Sequence, residues 1–307
     1  MNLLLNPEQT AARLPWAGLV DQIEALLRDD SVHVPARIVM PMAGNASLFT
    51  MPACDARTAM AKLISFTPAN VGTERPTIQG DVTVFDVATG VRRVILDGPT
   101  VTARRTAAVS ALGARLLAPT LAGPMLIVGA GVQGRAHIEV FAAALGVRDF
   151  RIASRRRASA EALADAARAQ GLKAEVVDDA DAALADCPLA ATCTPASEVV
   201  LRAAPRADAF IAAVGAFTPQ MVEIDAELCR RIAAQGRIVV DSRDAGHEAG
   251  DLLQAGLDVD AMPALADIVR AQQKARAEGG PVLFKSCGWA GWDLAAARLA
   301  VQARAGG

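Results

Sequence analysis

Histidine is scarce in this chain, with three in 307 residues, and the five cysteines are odd in number and widely spaced, without a C-x-x-C pair. The first scarcity argues against a histidine-built metal centre. The second argues against a disulfide framework or a structural zinc site, and it fits a reducing cytoplasm. No stretch reaches the roughly 18 uncharged apolar residues of a membrane span. The opening MNLLLNPEQT is too briefly apolar, and lacks the basic leader, for a secretory signal. Neither sign of charge dominates: 31 basic against 33 acidic residues leave a net charge of −2. There is no basic stripe interleaved with aromatics, so a nucleic-acid partner is not indicated. What remains is globular composition, 52% hydrophobic and 21% charged, with length for one large domain or two ordinary ones.

Two textures follow each other. Up to about residue 98 the pattern favours strands and turns: RIVMPM, SLFTMPA and TAMAKLISF read as short strands, and DVTVFD-VATG-VRRVILDG as a hairpin. TVTARRTAAVSALGARLLAPT then reads as a helix that a threonine can cap and Pro119 ends. From about residue 124, MLIVGAG, DFRIAS, KAEVVDD, PLAATCT, DAFIAAVGA and GRIVVDS alternate with alanine-rich helical segments. This alternation predicts an α/β chain with a Rossmann-type, doubly wound parallel sheet. We expect a first domain over 1–118, the parallel-sheet domain over 119–289, and a last helix at about 290–307 returning to the first.

Gly129, Gly131 and Gly134 form G-x-G-x-x-G directly after MLIV and before a helix. The first glycine permits the tight turn, the second lets backbone approach a pyrophosphate, and the third allows close helix–strand packing. The whole turn, with Ala130, Val132 and Gln133, is thus expected to hold a dinucleotide. An acidic residue about 20 positions further on would hold the 2′-hydroxyl of NAD. Here the count lands on Ser154, followed by Arg155 and Arg156. A guanidinium meets a phosphate through charge-assisted, often bidentate hydrogen bonds, so these residues favour NADP(H) over NAD(H).

Two cations fall on apolar faces. In the helix from Thr102, Arg105 shares a stripe with Val109, Leu112 and Leu116, whereas Arg104 lies with Ala108, Ala111 and Arg115. Arg105 should therefore point inward, Arg104 outward, and an inward arginine needs an anion. No partner lies at helical spacing, which leaves a bound carboxylate or phosphate, or a structural ion pair with a distant acid. Lys62 shares a strand face with Met60, Ile64 and Phe66; it either serves a site there or extends its amine to the sheet edge. His247, Glu248 and Asp251 in DAGHEAGD read as a loop entering a helix with ordinary acidic capping, not a metal site. His137 reads as packing. The cysteines, Cys193 included, read as small core residues without an activating partner.

The segments PARIVM, MPA, AKLISFTPANVG, RPTIQGDVTVFDVATG, TVTARRTAAVSALGA, VGAGVQG, AVGAFTPQMVEID and LFKSCGWAGWD together resemble the ornithine cyclodeaminase/mu-crystallin family over nearly the whole chain. The resemblance implies a smaller α+β substrate domain that dimerises through its sheet, beside an NAD(P)-binding domain. It also implies a small amino- or imino-acid substrate and a homodimer, and with so few histidines no metal is expected. By motif, the residues that hold the substrate carboxylate fall on Arg37, Lys62 and Arg105. Thr77 and Thr106 match positions near the cofactor, Thr194 and the turn Val214-Gly215 its nicotinamide side, and Ser286 a late cofactor contact.

One departure bears on the chemistry. Where cyclodeaminases and alanine dehydrogenases of the family carry G-x-D-x-P, this chain reads Gly215-Ala-Phe217-Thr-Pro. Phenylalanine cannot take a proton or pair with an ammonium, as expelling an amine requires. Glu223 or Asp225 is the nearest replacement in sequence. The expectation is NADPH-dependent reduction of a cyclic imino acid, Δ1-pyrroline-2-carboxylate or Δ1-piperideine-2-carboxylate, to proline or pipecolate, with Phe217 against the ring and Lys62 as the catalytic group. The rivals are ornithine cyclodeamination with NAD, alanine dehydrogenation, and a crystallin-like NADPH-binding protein without turnover.

Overall fold

The computed structural model describes residues 4–70, 73–271 and 279–302; the expected helical residues 303–307 and Val71-Gly72 of the AKLISFTPANVG motif lie outside them. The chain divides into two compact units, Met1–Arg105 with Trp289–Gly307, and Thr106–Gly288.

The first unit opens with two helices, α1 (Pro7–Ala12) and α2 (Trp16–Leu27), where the sequence reading expected strands and turns. The signal was present. Proline at the first turn and the Asn6–Gln9 capping box start α1. In α2 the buried Leu19, Val20, Ile23, Leu26 and Leu27 recur at helical spacing. Five strands follow: β1 (Ile38–Pro41), β2 (Ser47–Cys54), β3 (Thr58–Phe66), β4 (Ile78–Asp86) and β5 (Arg92–Asp97). They form an antiparallel sheet in sequence order, and β4 with β5 makes the expected hairpin. On β3 the residues Thr58, Met60, Lys62 and Ile64 are buried and Leu63, between them, is exposed.

Helix α3 (Gly98–Leu117) leaves this sheet. Its start is held not by a threonine but by Asp97, whose Oδ1 accepts from the Thr100 N–H at 2.8 Å; the hydroxyl of Thr102 turns back onto the Gly98 carbonyl instead. Arg104 does not point to solvent. Its guanidinium lies 3.7 Å over the Trp16 ring and its Nε donates to the Leu14 carbonyl. The last helix, Ala290–Gln302, packs on α2, β2 and β3.

The second unit alternates strand and helix: β6 (Met125–Val128), α4 (Val132–Leu145), β7 (Asp149–Ala153), α5 (Arg157–Ala169), β8 (Lys173–Val176), α6 (Ala180–Leu184) and β9 (Leu189–Thr192). The remaining elements are β10 (Ser197–Leu201), β11 (Phe210–Ala213), β12 (Val222–Ile224), α7 (Ala226–Gln235), β13 (Arg237–Val240), α8 (Gly250–Gln254), α9 (Leu265–Arg270) and β14 (Val282–Lys285). Seven strands form one parallel sheet in the order β13-β14-β11-β9-β6-β7-β8. The six expected strands are all in it. The seventh, β14, runs between β13 and β11 and comes from Val-Leu-Phe-Lys, which the sequence reading used only as a motif. Strands β6, β9, β11 and β14 are buried at every residue, as in a sheet covered on both faces, with Thr192 and Lys285 the polar exceptions to their apolar runs. The strand order reverses between β6 and β9, and ligands of such sheets bind beyond the carboxyl ends of the strands at that point.

Candidate active site

On the first unit, the inward faces of β3 and α3 bring two cations to one acid. The Lys62 ammonium donates to Asp293 Oδ1 at 3.0 Å, and Arg105 Nε lies 3.4 Å from the same oxygen. All three side chains are buried, Asp293 completely. The distant acid that pairs with Arg105 is thus Asp293, on the last helix, and Lys62 does not reach for the sheet edge. Sequence reasoning missed Asp293. The one signal was an acid on the wholly apolar face of Ala290–Gln302, the kind of misfit that had singled out the two cations. Its second oxygen, Oδ2, is buried and accepts no hydrogen bond among the described residues.

Burial pushes the Lys62 amine down to about 8; Asp293 opposes that shift, and the positive charges of Arg105 and Arg37 add to it. Arg37, half-buried ahead of β1, therefore belongs to the same electrostatic cluster. Lys62 and Arg105 against Asp293 leave this buried group one positive charge in excess among the described residues. Thr77 also belongs to this unit, half-buried, with its carbonyl accepting from the Thr67 N–H.

On the second unit the three glycines behave as their spacing predicts. Gly129 has φ +113°, and a Cβ there would lie 2.5 Å from the Cys193 carbonyl oxygen. A Cβ on Gly134 would lie 2.0 Å from the Gly129 carbonyl oxygen, so this glycine lets α4 pack on the turn. Gly131, in contrast, faces open space: nothing lies within 4 Å of where its Cβ would be. It is also the N-cap of the fourteen-residue α4 and offers no side-chain cap. The first turn of α4 therefore keeps its N–H groups and positive dipole end for an anion. Ala130 and Gln133 are half-buried, Gln133 Oε1 having no hydrogen-bond partner among the described residues, and Val132 is exposed. A nucleotide pyrophosphate fits this donor set.

At the carboxyl end of β7, Ser154 is half-buried, and Arg155 and Arg156 are exposed. Arg155 reaches Glu198 at only 3.7 Å, whereas Arg157 is tied to Asp178 and Glu161. Thr106 is buried, and its carbonyl accepts from Ser110 Oγ. Val214 is buried and Ser286 donates to Asp241 Oδ2 at 2.9 Å.

Beyond β9 and β11 lies an acid that accepts four hydrogen bonds. Glu223 Oε1 accepts from the Thr194 N–H and hydroxyl, both at 2.7 Å. Its Oε2 accepts from the Thr192 hydroxyl at 2.8 Å and the Gly215 N–H at 2.6 Å. Burial raises its proton affinity, opposed by Lys285 and these hydrogen bonds. Asp225 caps α7 through the Glu227 and Leu228 N–H groups. Both carboxylates are thus taken up by hydrogen bonds within the fold, and Phe217 is partly exposed.

One reading from the sequence needs correction and another refinement. Asp251 is no ordinary cap: it is fully buried, pairs with Lys285 at 2.7 Å, and accepts from the Glu223 and Ile224 N–H groups. Cys193 does have a neighbour, His137 Nδ1 at 3.6 Å. That neighbour does not activate it, because burial raises the thiol well above its ordinary value and lowers His137 to about 4, leaving both neutral. His137 packs on Phe141 and bonds Ser110, as a core residue does. Among the described residues no group of three potential ligands could hold a metal, and no helix is long and apolar enough to cross a membrane.

The sequence profile of the ornithine cyclodeaminase/mu-crystallin family matches residues 3–306. The chain belongs to that family. It is 37% identical over 306 residues to Delta(1)-pyrroline-2-carboxylate reductase 2 of Burkholderia ambifaria, covering 97% of this chain and 96% of that one. To the ketimine reductase mu-crystallin of Mus musculus it is 35% identical over 292 residues, 92% of this chain and 90% of the other. Among solved structures it resembles Delta(1)-pyrroline-2-carboxylate reductase of Thermococcus litoralis, in complex with NADH and L-proline. The TM-score is 0.88 and the identity 23%, over 98% of this chain and 97% of that one. At that identity the likeness shows a shared fold.

Proposed function

We propose that the protein is an NADPH-dependent oxidoreductase that reduces the C=N bond of a cyclic imino acid, Δ1-pyrroline-2-carboxylate or Δ1-piperideine-2-carboxylate, to proline or pipecolate. Relatives at 37% identity named as pyrroline-2-carboxylate reductases support the reaction class. The observation that carries the choice within the family is the segment from Gly215 to Asp225. It holds Phe217 where the cyclodeaminases have an aspartate, and its two acids are spent on Thr192, Thr194, Gly215 and the start of α7. A cyclic imine keeps its nitrogen in the ring and expels nothing, so it needs no acid there.

The chain's own part is binding, charge and proton supply. Arg37, Lys62 and Arg105 hold the substrate carboxylate, which meets the one positive charge that Lys62 and Arg105 carry in excess of Asp293. Such fixing of a reactant contributes several kcal/mol to catalysis. Gly129–Gly134 would hold NADPH, with Ser154, Arg155 and Arg156 at its ribose phosphate, and the cofactor would supply the hydride. Thr77, Thr106, Thr194, Val214, Gly215 and Ser286 are the further cofactor contacts. The ring nitrogen needs a proton in exchange, and Lys62 Nζ, lowered to about 8 by burial, titrates where a general acid works best. The protein works as a homodimer in the cytoplasm on this reading. The open edge strand β1 supports the dimer: all four of its residues are exposed, three of them the apolar Ile38, Val39 and Met40.

Purified protein should oxidise NADPH when given Δ1-pyrroline-2-carboxylate and release no ammonia from ornithine. Ammonia release with NAD, without NADPH oxidation on either imine, would establish the cyclodeaminase instead. Arg155→Asp tests the cofactor. It should weaken NADPH binding about tenfold or more relative to NADH, since a phosphate then faces a carboxylate rather than a guanidinium. Equal losses for both cofactors would make the arginine a surface residue.

A further inference from the structure

We propose that Glu223 is a positioning residue for the cofactor, fastening the turns after β9 and β11 to each other so that Thr194 and Gly215 present one fixed surface to the nicotinamide half. The proposal rests on the cofactor reading above. Glu223 itself, wholly buried, is placed to touch no ligand. Its two oxygens divide their partners by turn: Oε1 takes both donors of Thr194, and Oε2 takes the Gly215 N–H together with the Thr192 hydroxyl at the end of β9. The turns are so close that a Cβ on Gly215 would lie 2.3 Å from the Thr194 carbonyl oxygen and 2.5 Å from Glu223 Oε1. Glu223 is held from behind as well, its own N–H donating to Asp251 at 2.6 Å and Asp251 pairing with Lys285 at the end of β14. The carboxyl ends of β9, β11 and β14 are thereby linked through one buried network.

The chemistry of the clamp makes a sharp demand on residue type. Each oxygen receives a backbone N–H, and a backbone N–H cannot be turned into an acceptor. A glutamine of the same shape has one oxygen and one NH₂ group, so in either orientation its NH₂ confronts the N–H of Thr194 or of Gly215. Only a carboxylate satisfies both turns, and a buried donor left facing a donor drives them apart.

The test is Glu223→Gln, read by NADPH fluorescence titration and by steady-state kinetics with Δ1-pyrroline-2-carboxylate. The expected result is an NADPH Kd raised about tenfold or more, a matching rise in the KM for NADPH, and a KM for the imine within about twofold of the parent. Thr192→Val, which removes one bond and keeps the side-chain shape, should raise the NADPH Kd by a smaller, several-fold factor; it decides the matter if Glu223→Gln does not fold. Unchanged NADPH affinity in either folded variant, with only a lower melting temperature, would overturn the proposal and make Glu223 structural. A parent protein that binds neither NADPH nor NADH would overturn the cofactor reading itself, and the positioning role with it.

Discussion

Lys62→Met should lower kcat/KM for Δ1-pyrroline-2-carboxylate by about 10³-fold, roughly 4 kcal/mol, the scale of truncating one partner of a buried, hydrogen-bonded charge pair. The substitution shortens the unbranched side chain by one heavy atom and removes its charge and donors. A substrate carboxylate would then meet Arg105 already balanced by Asp293, with the positive excess of the buried group gone. The parent enzyme should show the same dependence as a function of pH. The cation is the form that holds a carboxylate, and burial brings the Lys62 amine down to about 8. The rate at low substrate should therefore fall as pH rises through that value. In Lys62→Arg, whose guanidinium stays charged, that upper limb should vanish from the profile. A flat profile in the parent between pH 7 and 10 would exclude Lys62 from this role.

Asp293→Ala should be the most destabilising single substitution in the first unit. It strands the buried Lys62 ammonium, and Arg105 beside it, without a counter-charge. Removing one partner of a buried pair costs about 3–5 kcal/mol, which corresponds to a fall in melting temperature on the order of 10 °C. The measurement is unusually clean, because all three tryptophans, Trp16, Trp289 and Trp292, belong to this unit. Intrinsic fluorescence therefore reports its unfolding and not that of Thr106–Gly288. A loss below about 1 kcal/mol in urea denaturation would show that water compensates the cations.

How much could be read from the residues depended on whether the signal was local. The parallel sheet was legible because a buried strand and a following helix each leave a pattern within ten residues, and G-x-G-x-x-G fixed where the turn falls. The inward facing of Lys62 and Arg105 was legible for the same reason: each breaks an apolar stripe on its own element. Their partner was not, since Asp293 is 231 residues from Lys62 in sequence and no periodicity reports such a contact. The bonds of Glu223 to Thr192, Thr194 and Gly215 are equally non-local; it stood in the sequence as a spare acid and is in the structure a fully occupied one. Strand β14 failed differently. Val-Leu-Phe-Lys is short and ends in a lysine, and the fold tolerates that lysine because Asp251 neutralises it at 2.7 Å. Helix α2 was legible too: Leu19, Val20, Ile23, Leu26 and Leu27 recur at helical spacing.

The first unit is made from both ends of the chain, with Thr106–Gly288 inserted as one uninterrupted piece. On the ribosome, where chains fold from the N-terminus as they emerge, the inserted unit is complete before the unit that precedes it. Until residue 293 emerges, Lys62 and Arg105 have no acid to receive them, and the inner faces of β2 and β3 lack the helix that covers them. Translation arrested or truncated shortly before the last helix should therefore yield a nascent chain with a closed nucleotide fold and an open, chaperone-dependent sheet.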